Sequence, residues 1–399
     1  NGAVRFPMDG CQPEDYAENM AKMKAAPEQF SIIKQGVAFH GQMATQVPDF
    51  FYGEIQSGSH HANCGLMTER GMEHLIDCIQ AMKQVLGNDV VLAGGVEKMT
   101  NVPVEKVQDY LAAASDVPYE LDLAAFTFPG LYAVMATAYM SKFGASTEHL
   151  MQVAIKNHDN GALNPKAQFN STIKSLMEQR IERALAKGLS APDWRDEYDF
   201  LRDEKPNPIV ADPLRLMDCS PVTDGASCVI LAAEEVAKEY TDEMVNVVGT
   251  SQASAGPFTT WGSNITSIPS ARLAGRDAYA MAGVTAKDID FAEVHDCFTF
   301  AEIMAVEDLG FFEQGRGAFA SADGETASVS DRPINISGGL KSKGHPVGAT
   351  GIAQIQEVWT QLRGRAGGRQ ISHKDLRLGL THNVGGTGGT CVVHVLERQ

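Results

Sequence analysis

Apolar residues recur at helical spacing in one stretch and fall in short unbroken runs in the next, through much of the chain. Met72, Leu75, Ile76, Ile79, Met82 and Leu86 share one helical face, closed near Gly87-Asn88. Val90-Val91-Leu92-Ala93 follows before Gly94-Gly95, continuous and apolar as a central strand covered on both faces would be. The rhythm returns later, with strands at 226–233, 245–248, 291–294 and 391–396 and helices at 234–239, 270–281, 300–309 and 352–362. Alternation of this kind predicts an α/β fold with both sheet faces covered. Between them, residues 100–212 lack it and read as a string of helices at 103–114, 131–143, 147–157 and 173–186, an inserted helical unit closed by Lys205-Pro206-Asn207-Pro208. Before residue 68 the pattern is faint, with a helix over Tyr16–Lys24 and a strand over Gln46–Glu54 the most that can be read.

Composition narrows the function. With 399 residues, 44% of them hydrophobic, the chain can bury a large core. No run approaches the roughly 18 apolar residues of a membrane span. A net charge of −17 excludes broad nucleic-acid or membrane contact. Seven cysteines, odd in number and scattered, form neither a disulfide framework nor a metal cluster, so a reducing compartment is expected. The start, Asn1-Gly2-Ala3, lacks a signal peptide's apolar core and the end, Leu396-Glu397-Arg398-Gln399, is not a Ser-Lys-Leu signal; the expected location is cytoplasmic.

Candidate chemistry concentrates in the last third. Ser337-Gly338-Gly339-Leu340-Lys341-Ser342-Lys343-Gly344-His345-Pro346 is a glycine-rich loop feeding a helix, and it carries one side chain that titrates near neutrality, His345. Phe291-Ala292-Glu293-Val294-His295-Asp296-Cys297-Phe298 and Leu380-Thr381-His382-Asn383-Val384-Gly385-Gly386 join apolar residues to polar or glycine turns, as strand ends that deliver reactive groups do. Cys78, Cys219, Cys228, Cys11 and Cys391 read as packing. His60-His61 lacks a third metal ligand. Gly385-Gly386-Thr387-Gly388-Gly389 precedes a strand, where a dinucleotide loop would open a helix.

In this order the three segments resemble the thiolase superfamily, and within it the sterol-carrier-protein-2 thiolases, whose hallmark is His-Asp-Cys-Phe. Val90–Met99, Asn157-His158, Asn164–Phe169 and Thr223–Ala226 extend the likeness over roughly residues 68–399. The resemblance implies two similar halves stacked α-β-α-β-α, the first spanning residues 1–232 with the helical loop domain at 100–212 inserted, the second 233–399. It also implies an acyl-CoA C-acyltransferase that needs no cofactor beyond CoA as substrate, and a homodimer or dimer of dimers, a hetero-complex being the other arrangement. CoA is anionic, so a local basic patch is required; Lys341, Lys343 and the 174–183 stretch are candidates.

By the same resemblance His345 takes the proton from the nucleophile, Cys297 is the acid and base at the substrate α-carbon, and His295 helps build an oxyanion site. Ser337, Gly338, Asn383, Gly385 and Gly386 bind substrate, Asn383 standing where many thiolases carry a second cysteine. The nucleophilic cysteine is expected at a helix N-terminus, where the dipole lowers its pKa. Counting back from Gly71 places Thr68 at that position; the nearest thiol is Cys64, in Asn63-Cys64-Gly65. Either the loop after Cys64 is lengthened and the thiol still reaches the site, or the nucleophile has been lost. In the second case the chain is a non-thiolytic acyl-CoA binder, or a carbon–carbon lyase acting without a covalent intermediate.

Overall fold

A computed structural model describes residues 90–112, 114, 115, 120, 127–256, 258–262 and 264–399. The helix expected over 71–86, and with it Cys11, His60, His61, Cys64, Thr68 and Cys78, lie outside them. Strand β1 (Val90–Glu97) is followed by helices α1 (Val104–Ala112), α2 (Phe128–Phe143), α3 (Thr147–Ala162), α4 (Ile173–Ala186) and α5 (Glu197–Arg202). A short hairpin, β2 (Ile209–Ala211) and β3 (Leu214–Arg215), leads to β4 (Gly225–Ala232), α6 (Glu234–Ala237) and β5 (Val245–Ser254). The remainder runs α7 (Pro269–Ala282), β6 (Phe291–Glu293), α8 (Thr299–Asp308), α9 (Gly317–Ala322), α10 (Gly339–Ser342), α11 (Val347–Leu362), β7 (Leu378–Gly385) and β8 (Thr390–Arg398).

The larger sheet has the order β5-β8-β7-β6, with β6 and β7 parallel and the other pairs antiparallel. An isolated bridge from Ala292 to Ile334 extends it beyond β6. Strand β7 is buried along nearly its whole length and runs on through Thr381, His382 and Asn383 to Gly385, where the sequence is expected to leave the strand for a polar turn. One face packs on α7 and α8, where Ala271, Ala274, Phe300 and Met304 join Leu380 and Val393 in the main core. Helix α11 covers the other face through Val358 and Leu362, against Phe291 and Leu396. Helices α2 and α3 contribute to the main core as well, through Leu131, Met135, Leu150 and Val153.

Strand β1 pairs antiparallel with β4 over its whole length. The pair lies on the side of α11 away from β7, so α11 is a helix layer between two sheets. That position accounts for the polar residues buried along it, Gln354, Glu357 and Gln361. Gln354 donates to the carbonyl of His382 at 3.0 Å and Glu357 pairs with Arg369 at 2.8 Å. Contact is close at the helix start: a Cβ on Gly95 would overlap the carbonyl oxygen of Gly348. The opposite face of the pair corrects an expectation. Val90, Leu92, Val96 and Ile230 are exposed there, so among the described residues β1 is covered on one face only, the one α11 occupies.

Most elements run longer than the apolar runs that announce them. β5 continues to Ser254 and β8 to Arg398 because their ladder does, from Val245 opposite Arg398 to Ser254 opposite Thr390. Helix α11 starts at Val347, so Gly348-Ala349-Thr350-Gly351 forms its first turns where a loop is expected.

Candidate active site

Two turns and the last part of a strand converge at one edge of the larger sheet. The first leaves β6 as Val294-His295-Asp296-Cys297-Phe298, the second is the loop Asn335–Pro346, and the third is the end of β7 at His382-Asn383. The rings of His295 and His345 meet edge to face, with centroids 5.0 Å apart at 88°. The backbone N–H of His295 donates to Nδ1 of His382 at 3.3 Å, so the ring of His382, from β7, abuts the turn that carries His295. A short segment, Cys219–Thr223, stitches the first two turns together. Cys219 bridges to Phe298, Ser220 N–H donates to the Cys297 carbonyl at 2.8 Å, Val222 bridges to His345, and the His345 N–H donates to Thr223 Oγ1 at 2.9 Å.

The orientation of His345 follows from its partners. Thr350, one turn into α11, donates its hydroxyl to the Pro346 carbonyl at 2.9 Å and so receives the Nδ1–H of His345 at 2.7 Å. With Nδ1 holding the proton, Nε2 carries the basic lone pair. His382 is buried, which depresses its pKa to about 3 and keeps it neutral. Because its Nδ1 accepts from His295, its own proton sits on Nε2.

Cys297 is half-buried, and burial pushes its thiol up to about 12, with Asp296 and Cys219 adding to the shift and Tyr132 opposing it. At rest it is a thiol, a group that first gives a proton and then, as thiolate, takes one back. Its neighbour Asp296 is fully buried and acts on the backbone. One oxygen accepts from Leu340 N–H at 2.7 Å, the other from Asn157 Nδ2 at 2.8 Å. Burial, and next the charge of Glu302, raise the Asp296 pKa to about 7. Glu302 in turn accepts from Asn157 and Asn335, each at 2.8 Å, and pairs with buried Lys156 at 3.0 Å. Asn335 is the one non-glycine residue with positive φ among the described residues, at 58°, and its amide oxygen accepts from Val294 N–H at 2.8 Å. This network pins both turns to α3 and α8. Sequence reasoning missed it apart from Asn157, because isolated Lys, Asn and Glu at helix spacing look like a solvated face.

The remaining sequence candidates divide. Asn383 is buried at the cluster and donates to Gln354 Oε1 at 3.0 Å. Ser337 is fully buried and its hydroxyl donates to Glu293 at 2.5 Å, while Gly338 packs on the backbone of Gly161; both shape the loop. Gly385 is half-buried at the end of β7, and Gly386, at φ 60°, packs on the Ala114 carbonyl. Lys341 is corrected as a phosphate contact: it is buried, and its ammonium group donates to the Cys219 carbonyl. Lys166 instead lines a cavity of about 740 Å³ bounded by Thr223, Gly344 and Thr350; Lys343 borders the same cavity, but its ammonium nitrogen is buried, with Glu293 as a charged neighbour. Cys228, expected in packing, is exposed on the open face of β4. Among the described residues no group of His, Cys, Asp and Glu is arranged to hold a metal ion, and no helix is long and apolar enough to cross a membrane.

Residues 66–235 match the family model of the thiolase N-terminal domain, and residues 251–398 that of the thiolase C-terminal domain-like family. An acetyl-CoA acetyltransferase of Methanothermobacter thermautotrophicus is 45% identical over 78% of this chain and 73% of its own. Human sterol carrier protein 2 is 32% identical over 76% of this chain and 52% of its own. Among solved structures, one titled as the Ltp2-ChsH2(DUF35) aldolase superposes with a TM-score of 0.62 over 82% of this chain and 78% of its own, at 23% identity, a likeness of fold. The chain belongs to the thiolase family of acyltransferases. Within that family it falls in the sterol-carrier-protein-2 thiolase-like branch.

Proposed function

We propose that the protein is an acyl-CoA C-acyltransferase that makes or breaks the carbon–carbon bond of a 3-ketoacyl thioester through an acyl-cysteine. The observation that carries this reading is the meeting of His295 and His345 across two turns, with Cys297 two residues from one of them. Cys64 is the proposed nucleophile. In the cleavage direction His345 Nε2 takes the Cys64 proton, and the sulfur attacks the 3-keto carbon. The bond between the α- and β-carbons then breaks, and its electron pair passes into the departing thioester as an enolate. The Cys297 S–H protonates that enolate at the α-carbon, leaving a thiolate that accepts the proton of incoming CoA. His295 and Asn383 are the proposed polar groups for the thioester oxygens, held by His382 and Gln354. Lys166, on the cavity that Gly344 and Pro346 border, suits an anionic substrate. CoA is consumed as a substrate, and a homodimer, with the half boundary near residue 232, is the expected assembly.

A second reading keeps Cys297 and His345 but dispenses with the acyl-enzyme. It is supported by Thr68 standing where the nucleophile is expected, and the family fold also occurs in a structure titled an aldolase. In that reading the chain is a carbon–carbon lyase on CoA thioesters, with a hetero-complex as its setting. Incubation with acetyl-CoA followed by intact-mass measurement separates the two. The first requires an acetyl adduct that Cys64→Ala abolishes; an unmodified wild type that still binds acyl-CoA would overturn it and leave the lyase or a non-catalytic acyl-CoA binder.

A further inference from the structure

Helix α2 brings another polar group to the Cys297 turn. Tyr132 is 1% exposed, and its ring lies on Phe298 with centroids 4.7 Å apart at 34°. Its hydroxyl makes no hydrogen bond of ordinary geometry among the described residues, and the Cys297 thiol is the one side chain toward which it makes a longer, weaker contact. Other tyrosines of the same core are satisfied: buried Tyr139 donates to Glu307, and half-buried Tyr279 to the Leu309 carbonyl at 3.0 Å. A dry phenol without an acceptor is costly, so a protein keeps one where an acceptor appears later. The ionisable side chains that Tyr132 faces are Cys297, first, and Cys391 of β8. Cys391 is fully buried and its sulfur is directed to the backbone carbonyl of Val392 at 3.9 Å. Cys297 is the half-buried one.

We infer that Tyr132 is a positioning residue for Cys297, its O–H donating to the sulfur when that sulfur carries charge. The inference rests on Cys297 serving as acid and base in the proposed reaction. When Cys297 protonates the α-carbon, the S–H bond breaks, a C–H bond forms and the electron pair stays on sulfur. Tyr132 keeps its own proton and shares it with the new thiolate as a hydrogen bond. Burial holds the phenol above its ordinary pKa, so it remains a donor throughout. The other titratable groups turned to Cys297 are Asp296, on its own turn, whose two oxygens are taken up by Leu340 N–H and Asn157, and Cys219, on the segment alongside, whose S–H is directed to the Arg215 carbonyl at 3.3 Å. Lys341, which could donate, is held on the Cys219 carbonyl. The sequence gives no sign of this role, since Tyr132 occupies an ordinary core position of an apolar helix.

The test is the pH profile of Cys297 alkylation in the full-length protein, read by mass mapping of the modified peptide after brief exposure to iodoacetamide. Tyr132→Phe should shift the profile to higher pH and slow alkylation about tenfold at a fixed pH below the plateau. A ring-fluorinated tyrosine at 132, a stronger donor in the same shape, should shift it to lower pH, an outcome that a packing role would not produce. In acetyl transfer Tyr132→Phe should lower kcat and leave KM unchanged. Superimposable alkylation profiles for wild type and both variants would overturn the inference. If the profiles separate while no acetyl transfer is found in wild type, the reaction assignment fails and the Tyr132–Cys297 coupling stands.

Discussion

Gly339 sets up the sharpest test of how the two turns are held. Its φ is +57°, and a Cβ there would overlap Asp296 Oδ2 and stand 2.7 Å from Cγ. Gly339→Ala therefore imposes two separate penalties. The left-handed backbone costs an alanine about 1–2 kcal/mol. Displacing the carboxylate also breaks the bond from Leu340 N–H, 2.7 Å in wild type, worth about 1.5–3 kcal/mol while Asp296 is ionised. The expected loss is about 2.5–5 kcal/mol at pH 8. Gly364 supplies the control: its φ is +64°, yet nothing lies within 4 Å of the position its Cβ would take. Gly364→Ala should cost the backbone share alone, about 1–2 kcal/mol. Urea unfolding of both variants beside wild type isolates the clash as their difference. Activity should separate them further, since moving Asp296 moves His295 and Cys297, and a displacement of about 1 Å can cost roughly 100-fold in rate. If Gly339→Ala proves as stable and as active as Gly364→Ala, the carboxylate is not what fixes the loop and the argument fails.

Three further outcomes follow from the same geometry. Lys156→Met strips the partner from Glu302, a buried pair at 3.0 Å, and should cost about 3–5 kcal/mol by thermal or urea unfolding; a loss below 1 kcal/mol would show the pair to be idle. Thr350→Val removes the acceptor of His345 Nδ1–H and should lower kcat/KM about 3- to 10-fold with little change in stability, measured as acetyl transfer between thioesters. Buried His394 has its pKa pressed down to about 3, so below its unfolded value near 6.5 only the unfolded chain takes up the proton, and stability falls with falling pH. His394→Gln, which can keep the contact to Thr250, should remove up to about 1.4 kcal/mol per pH unit of that slope between pH 6.5 and about 3, read from urea midpoints; an unchanged slope would refute it.

What the sequence discloses and what it hides have different physical origins. Strands β6 and β8 and helices α7, α8 and α11 are legible because most residues buried between layers are apolar, whereas β7 reads as a strand end running into a turn because Thr381, His382 and Asn383 are buried within it. The glycine-rich loop is legible for a related reason: Gly338 and Gly339 need backbone angles, or approaches to Gly161 and Asp296, that side chains forbid. Glu302, Lys156 and Asn335 were not legible. Their hydrogen bonds join residues far apart in the chain, and a polar residue in one helix carries no mark of a partner on another. Lys341 misled for the complementary reason, since a lysine in a glycine loop resembles a phosphate ligand until its carbonyl partner is seen.

The first turn of α11 carries the consequence for mechanism. Gly348 N–H, three residues beyond His345, donates to Glu97 Oε2 at 3.2 Å, and Gly95 packs on the Gly348 carbonyl. Asp224 then locks the end of β1 in place, accepting from Met99 N–H at 2.8 Å, Thr100 N–H at 2.9 Å and the Lys98 ammonium. The strand pair of the N-terminal half is thus registered against the loop of His345 by backbone contacts, while Cys219–Thr223 registers that loop against the turn of Cys297. An acyl-transfer reaction needs a base held in fixed relation both to the sulfur that attacks and to the group that protonates the leaving carbon. The Cys219–Thr223 segment supplies the second of those relations, joining the His345 loop to the Cys297 turn. His345, rather than either cysteine, is the fixed point from which the rest of the site is measured.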